Sequence, residues 1–311
     1  MNKIAFVFSG QGAQKVGMGK DFYENSEISK NIFDTASEKI GLDLRALCFE
    51  ENDLLDKTEY TQAALVTTCL AIVREVEKRG LYADVTAGLS LGEYTAIAVA
   101  GGMSDMDAIS VVRERGKFMQ DAVPEGEGAM SAILGMTGEQ VESVIEDMEN
   151  VFVANYNCPG QIVITGKTES VQEANEKLLS DGAKRAMLLN VSGPFHSPFL
   201  VGVGEKLGEL LKKVSFTKLQ IPYVTNVTGR YVTDVKETKE LLSKQVASSV
   251  RWQDSVENMI EDGVDVFVEI GVGKTLSGFI RKVNKNVKTY SISTWKDMEK
   301  VISELGGVGR C

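Results

Sequence analysis

The sequence predicts an α/β protein in which a larger domain with a parallel sheet is interrupted by a small inserted βαββαβ unit. Three observations predict it. Short continuous apolar runs, Ile4 to Phe8 and Val85 to Leu89, have the length of strands buried on both faces. Between residues 127 and 193 the pattern becomes strand, helix, strand, strand, helix, strand, bracketed by Gly126-Glu127-Gly128 and Gly193-Pro194. After that bracket, apolar strand-length runs again alternate with helical patterns.

Ile4 to Phe8 opens the chain as a strand that breaks at Gly10. Thr61 to Arg79 carries apolar residues at helical spacing, among them Ala64, Leu65, Ala71 and Val76. Val85 to Leu89 runs straight into Ser90, and a helix follows from about Glu93; another covers Asp105 to Ala122. In the middle, strands are expected at Ala129 to Leu134, Val151 to Asn155, Gln161 to Thr165 and Arg185 to Val191. Helices are expected there at Thr137 to Met148 and Glu169 to Leu179. That order is the ferredoxin-like split unit. The last strands are expected near Ile221 to Thr225, Val264 to Glu269 and Thr289 to Ile292, with helices between. The main domain is thus assigned to 1–126 and 194–311, and the inserted subdomain to 127–193.

Composition narrows the function. With 311 residues, 43% hydrophobic and 25% charged, the chain can bury a large core, and neither long disorder nor a fibrous fold fits. The net charge of −10 argues against a nucleic-acid binder. No stretch approaches the roughly 20 apolar residues that span a bilayer, and the first apolar run is too short for a secretory signal. A cytoplasmic location is expected. Cys48, Cys69, Cys158 and Cys311 are scattered with no CxxC pair, which disfavours a disulfide framework or zinc site. His196 is the only histidine, which excludes a multi-histidine metal centre.

Gly88-Leu89-Ser90-Leu91-Gly92 matches GxSxG where that pattern has mechanical meaning, between a buried strand and a helix. The motif makes the larger domain hydrolase-like. Small glycines permit a tight turn that lifts the serine hydroxyl out. The helix N-terminus offers free N–H groups, that of Leu91 included, to a developing oxyanion. A serine nucleophile needs a base, and His196 is the histidine available, in a loop stiffened by Gly193, Pro194 and Pro198. After the first strand, Ser9-Gly10-Gln11-Gly12-Ala13-Gln14 fails as a dinucleotide fingerprint, because Lys15 stands where the third glycine belongs. It is either a plain tight turn or a device that aims the Gln11 N–H at the same oxyanion. Gly273-Lys274-Thr275 fails as a phosphate loop, because Val268 stands where a glycine is needed.

Arg115 projects onto the apolar face of its helix with Ala108, Ile109, Val112 and Met119, whereas Arg113, Glu114 and Lys117 point elsewhere. A guanidinium on a buried face needs an anionic partner. Two readings stay open, an internal salt bridge and a fork that receives a substrate carboxylate.

With these residues the chain resembles the malonyl-CoA:acyl carrier protein transacylase family. The resemblance runs from Phe8-Ser9-Gly10-Gln11-Gly12-Ala13-Gln14 and Thr61-Gln62 to Gly88-Leu89-Ser90-Leu91-Gly92-Glu93-Tyr94 and Arg115-Gly116-Lys117-Phe118-Met119. It continues through Asn155-Tyr156-Asn157-Cys158-Pro159-Gly160-Gln161, Pro194-Phe195-His196-Ser197 and Glu269-Ile270-Gly271-Val272-Gly273. It implies Ser90 as nucleophile and His196 as base, with the Gln11 and Leu91 N–H groups as oxyanion hole. Arg115 would clamp the malonyl carboxylate, Gln62 and Met119 would line the acyl pocket, and the Gln245 carbonyl would orient His196. It implies malonyl-CoA as substrate and acyl carrier protein as partner, with no bound cofactor, in fatty-acid biosynthesis. Leu89 departs from the histidine usual before the nucleophile. The alternatives are a serine thioesterase or lipase-like hydrolase, and an acyltransferase of a polyketide pathway.

Ile270 to Lys296 holds no aspartate or glutamate, yet carries Lys274, Arg281, Lys282, Lys285, Lys288 and Lys296. In so acidic a chain this segment is expected to steer an acidic carrier protein, with Lys274, Arg281, Lys282 and Lys285 as the docking residues. The bland alternative is a solvated helix face.

Overall fold

The computed structural model describes residues 2–124, 126–191 and 193–306. Cys311 lies outside them. The chain opens with β1 (Lys3–Phe8), then three helices α1 (Lys20–Asn25), α2 (Glu27–Ile40) and α3 (Leu44–Phe49), then the long α4 (Thr58–Lys78). It continues with β2 (Val85–Gly88), α5 (Gly92–Val99) and α6 (Asp105–Gln120). The middle is β3 (Gly128–Leu134), α7 (Gly138–Ile145), β4 (Val151–Cys158), β5 (Gln161–Lys167), α8 (Thr168–Ser180) and β6 (Arg185–Leu188). The rest is α9 (Val201–Leu211), β7 (Tyr223–Val224), β8 (Tyr231–Val232), α10 (Thr238–Gln245), α11 (Trp252–Glu261), β9 (Val264–Ile270), α12 (Thr275–Val283), β10 (Lys288–Ile292) and α13 (Trp295–Leu305).

The fold is mixed α/β with two sheets. The larger runs β10-β9-β1-β2-β7-β8, parallel except for the final β7–β8 pair. Its central strands β1, β2 and β9 are largely buried because helices cover both faces. α4 is buried nearly all round, its small and apolar residues Ala63, Ala64, Leu65 and Val66 letting α2 and α6 close on it. Helix starts are fixed by local chemistry: Ser104 accepts from the Asp107 N–H at α6, and Thr137 makes a capping box with Gln140 at α7.

The smaller sheet runs β4-β5-β3-β6, with every neighbour antiparallel. It meets the larger layer where Val250 bridges to Asn155: Val250 N–H donates to Ala154 and Tyr156 N–H donates to Val250. β6 ends at Leu188, three residues short of the expected Val191, as the chain leaves the sheet and Val191 turns to the cavity wall. The expected strand at Ile221 to Thr225 is reduced to Tyr223–Val224, and β8 beside it was not expected. No helix among the described residues is long and apolar enough to cross a membrane.

Candidate active site

The turn between β2 and α5 is built by close approach. A Cβ on Gly88 would sit 1.9 Å from the Gly92 carbonyl carbon, and one on Gly92 would sit 2.1 Å from the Phe8 carbonyl oxygen. Only glycine fits either place, so strand and helix press together and the residue between them is thrown outward. That residue, Ser90, takes the left-handed conformation with φ 52°. A non-glycine residue there is strained, and the strain is braced. The Ser90 N–H donates to Asn226 Oδ1 at 2.6 Å, and Asn226 Nδ2 donates to the Gly88 carbonyl at 2.7 Å.

Ser90 Oγ lies 2.7 Å from His196 Nε2. His196 Nδ1 faces two main-chain carbonyls, Gln245 at 3.0 Å and Ser248 at 3.1 Å. Two acceptors at Nδ1 place the ring hydrogen there and leave the Nε2 lone pair for the serine proton. Burial first, and the Arg115 charge second, hold the imidazole down to about 4, so it stands neutral at pH 7. His196 itself has φ 59°, in a loop tied by Ser197 Oγ donating to the Pro194 carbonyl.

Arg115 is 1% exposed. Its Nη1 donates to Gln62 Oε1 at 2.8 Å, and its Nη2 to Gln245 Oε1 at 3.2 Å and Ser90 Oγ at 3.3 Å. Its Nε has no partner among the described residues, and the guanidinium lies 5.5 Å from the Tyr94 ring centroid. The internal salt bridge is absent: among the described residues no carboxylate pairs with it. A buried guanidinium held by neutral amides, with its tip on the Ser90 hydroxyl, has room for an anion.

A cavity of about 250 Å³ opens over Ser90 between the two sheets. Gln11, Leu91, Arg115 and Met119 border it, as do Asn155 and Asn157 of β4. The main-chain N–H groups of Gln11 and Leu91 make no hydrogen bond among the described residues and stay free for an oxyanion. Gln62 does not line this cavity; it stands behind Arg115, with Nε2 on Met119 Sδ at 3.3 Å. Thr275, Leu276 and Phe279 of α12 form part of the wall. On the same helix Arg281 and Lys282 are exposed, as are Lys274 before it and Lys285 after it. Lys282 Nζ reaches Gln161 Oε1, a cavity-wall residue, at 3.4 Å.

Three site residues carry no signal as such in the sequence. Asn226 and Ser248 lie in ordinary turn-forming stretches far from Ser90. Glu93, buried in the first turn of α5, stood inside the quoted motif without a role. Gln245 was expected to give only its main-chain carbonyl, and its side chain also joins Arg115 to Glu93.

The acyl transferase domain family matches residues 5–300. The malonyl CoA-acyl carrier protein transacylase of Bacillus subtilis is 44% identical over 310 residues, 98% of each chain. The structure of malonyl CoA-acyl carrier protein transacylase from Clostridium perfringens superposes with a TM-score of 0.94 at 45% identity, covering 98% of each chain. A malonyl-transacylase solved in complex with its type II PKS acyl-carrier protein superposes with a TM-score of 0.94 at 34% identity, covering 97% of this chain and 99% of that one.

Proposed function

This chain belongs to the acyl transferase domain family, and on that premise we propose that it moves malonyl groups from coenzyme A to the phosphopantetheine thiol of acyl carrier protein, through an ester on Ser90. The observation that carries this reading is the buried Arg115 fork 3.3 Å from the Ser90 hydroxyl, without a carboxylate of its own. A hydrolase of neutral esters has no use for a desolvated cation beside its nucleophile.

In the first half-reaction Ser90 Oγ attacks the thioester carbonyl carbon while its proton passes to His196 Nε2. The Gln11 and Leu91 N–H groups receive the oxyanion, each such donor contributing about 2.7–4 kcal/mol to the transition state. The C–S bond breaks, and the departing thiolate takes the proton from His196. In the second half the carrier thiol gives its proton to His196 and attacks the ester carbonyl. The C–O bond breaks and Ser90 Oγ recovers the proton. Arg115 holds the malonyl carboxylate throughout, and Met119 borders the acyl group. Gln62 supports Arg115 from behind rather than touching the acyl group. Coenzyme A enters as a substrate thioester, and no step calls on a bound cofactor.

The carrier protein docks on Lys274, Arg281, Lys282 and Lys285, a reading supported by their exposure on the helix that walls the cavity. The split strand order of the smaller sheet supports a ferredoxin-like subdomain over 127–193, set into a hydrolase-like domain of 1–126 and 194–311. Fatty-acid biosynthesis in the cytoplasm is part of the same proposal. The buried free thiols of Cys48, Cys69 and Cys158 fit a reducing compartment.

Intact-mass measurement after mixing with malonyl-CoA tests the reading. The parent gains one malonyl group, which leaves on adding carrier protein; Ser90→Ala gains none. An adduct that persists in Ser90→Ala, or release as free malonate without carrier protein, overturns it.

A further inference from the structure

One residue touches Ser90, Arg115 and His196 together. Gln245 Nε2 donates to the Ser90 carbonyl at 3.0 Å, its Oε1 accepts from Arg115, and its main-chain oxygen accepts from His196. An amide can be flipped, and a flipped Gln245 would turn its NH2 toward the Arg115 guanidinium, donor against donor. What prevents the flip is Glu93. Its carboxylate is fully buried and its Oε2 accepts from Gln245 Nε2 at 2.6 Å. The same oxygen accepts from the Asn226 N–H at 3.1 Å, and Asn226 in turn braces the strained Ser90.

We propose that Glu93 is a positioning residue that locks the Gln245 amide, so that one contact sets the Arg115 fork and steadies the segment that orients His196. This rests on the acyl-transfer reading above. Glu93 does not reach the reacting atoms, and it acts through Gln245 and Asn226.

The geometry gives the carboxylate a second effect. Glu93 and Arg115 share Gln245 without meeting, so a charge on Glu93 cancels part of the field that Arg115 offers an incoming carboxylate. The other titratable groups facing Glu93 are Tyr94 on its own helix and Tyr223 of β7, and burial raises both phenols, which stay neutral. Burial pushes Glu93 itself up to about 7. Below that pH it is protonated and Arg115 acts unopposed. Above it the carboxylate ionises and opposes the malonyl charge.

Glu93→Gln separates the two effects. Both hydrogen bonds fall on one oxygen, and the glutamine carbonyl can accept both, so the lock survives without the charge. Glu93→Ala removes the lock. The test is steady-state transfer to carrier protein from malonyl-CoA and from acetyl-CoA between pH 6 and 8.5, with melting curves to confirm folding. Glu93→Ala is expected to lose about tenfold in kcat/KM for malonyl-CoA, the effect of one lost buried hydrogen bond, and less for acetyl-CoA. Glu93→Gln should restore most of that loss. In the parent the malonyl-CoA KM should rise about threefold or more through pH 7, and in Glu93→Gln it should stay flat. The acetyl-CoA KM should be flat in both. An unchanged malonyl-to-acetyl ratio in folded Glu93→Ala, or the same KM rise in Glu93→Gln, overturns the proposal. The parent's trapped malonyl ester reads the underlying transfer reaction separately, whichever way these variants fall.

Discussion

At the scale of single residues, the protein keeps a cation in a place where cations are costly. Arg115 is desolvated and held by amide oxygens that satisfy two of its nitrogens without neutralising it. On the proposed function, a substrate carboxylate completes the pair. Arg115→Ala is therefore expected to lose about 1.5–3 kcal/mol in transfer of malonyl, roughly ten- to hundredfold, while acetyl transfer is retained or rises. Competition between the two thioesters, scored by the mass of the Ser90 ester, checks this. Equal losses for both would make Arg115 structural. Sequence alone picked out Arg115, Ser90 and His196, which the structure brings together, because each breaks a local pattern: a charge on an apolar face, a serine at a strand–helix junction, a lone histidine among prolines. It did not single out Asn226 or Glu93, which the structure places behind them. Their meaning lies in partners 136 and 152 residues away, and nothing in the local sequence announces such a partner.

At the scale of elements, the junction of β2 and α5 depends on the absence of two methyl groups. A Cβ at Gly92 meets the Phe8 main chain, which belongs to the central strand and cannot move aside. Gly92→Ala is expected to destabilise the fold by about 1–3 kcal/mol and to displace Ser90, with acylation falling alongside. Urea unfolding and the rate of ester formation measure the two effects; parental values in both would mean that the junction yields. The strands were legible because buried parallel strands read as short apolar runs, and βαββαβ was legible because its two helices bury apolar residues at helical spacing, Val141 and Ile145 in one and Val171, Ala174 and Leu178 in the other. The order of strands in the larger sheet was not. Pairing of β1 with β9 links residues near opposite ends of the chain, and nothing in either apolar run marks the other as its neighbour.

At the scale of the whole molecule, a net charge of −10 repels an acidic partner everywhere except where the charge is locally reversed. The basic residues around α12 sit on the outer side of a helix whose inner side walls the cavity. Reversing Lys282 and Lys285 to glutamate is expected to lower kcat/KM for carrier protein about tenfold at low ionic strength, and much less at high salt, where screening reaches only about 3 Å. Acylation of Ser90 by malonyl-CoA should change less. Parental kinetics with carrier protein at low salt would place the docking surface elsewhere.

The position of β1 also sets a schedule for synthesis. The first strand to leave the ribosome lies between β2 and β9, and β9 is made only after residue 263. Until then β1 has one open edge, and earlier still the Ser90 turn also waits for Asn226 and Gln245. A nascent chain therefore carries Ser90 for 106 residues before His196 is made, and for 136 before Asn226. On the proposed mechanism, reactivity waits until the histidine loop and the closing strand fall into place around a serine translated long before.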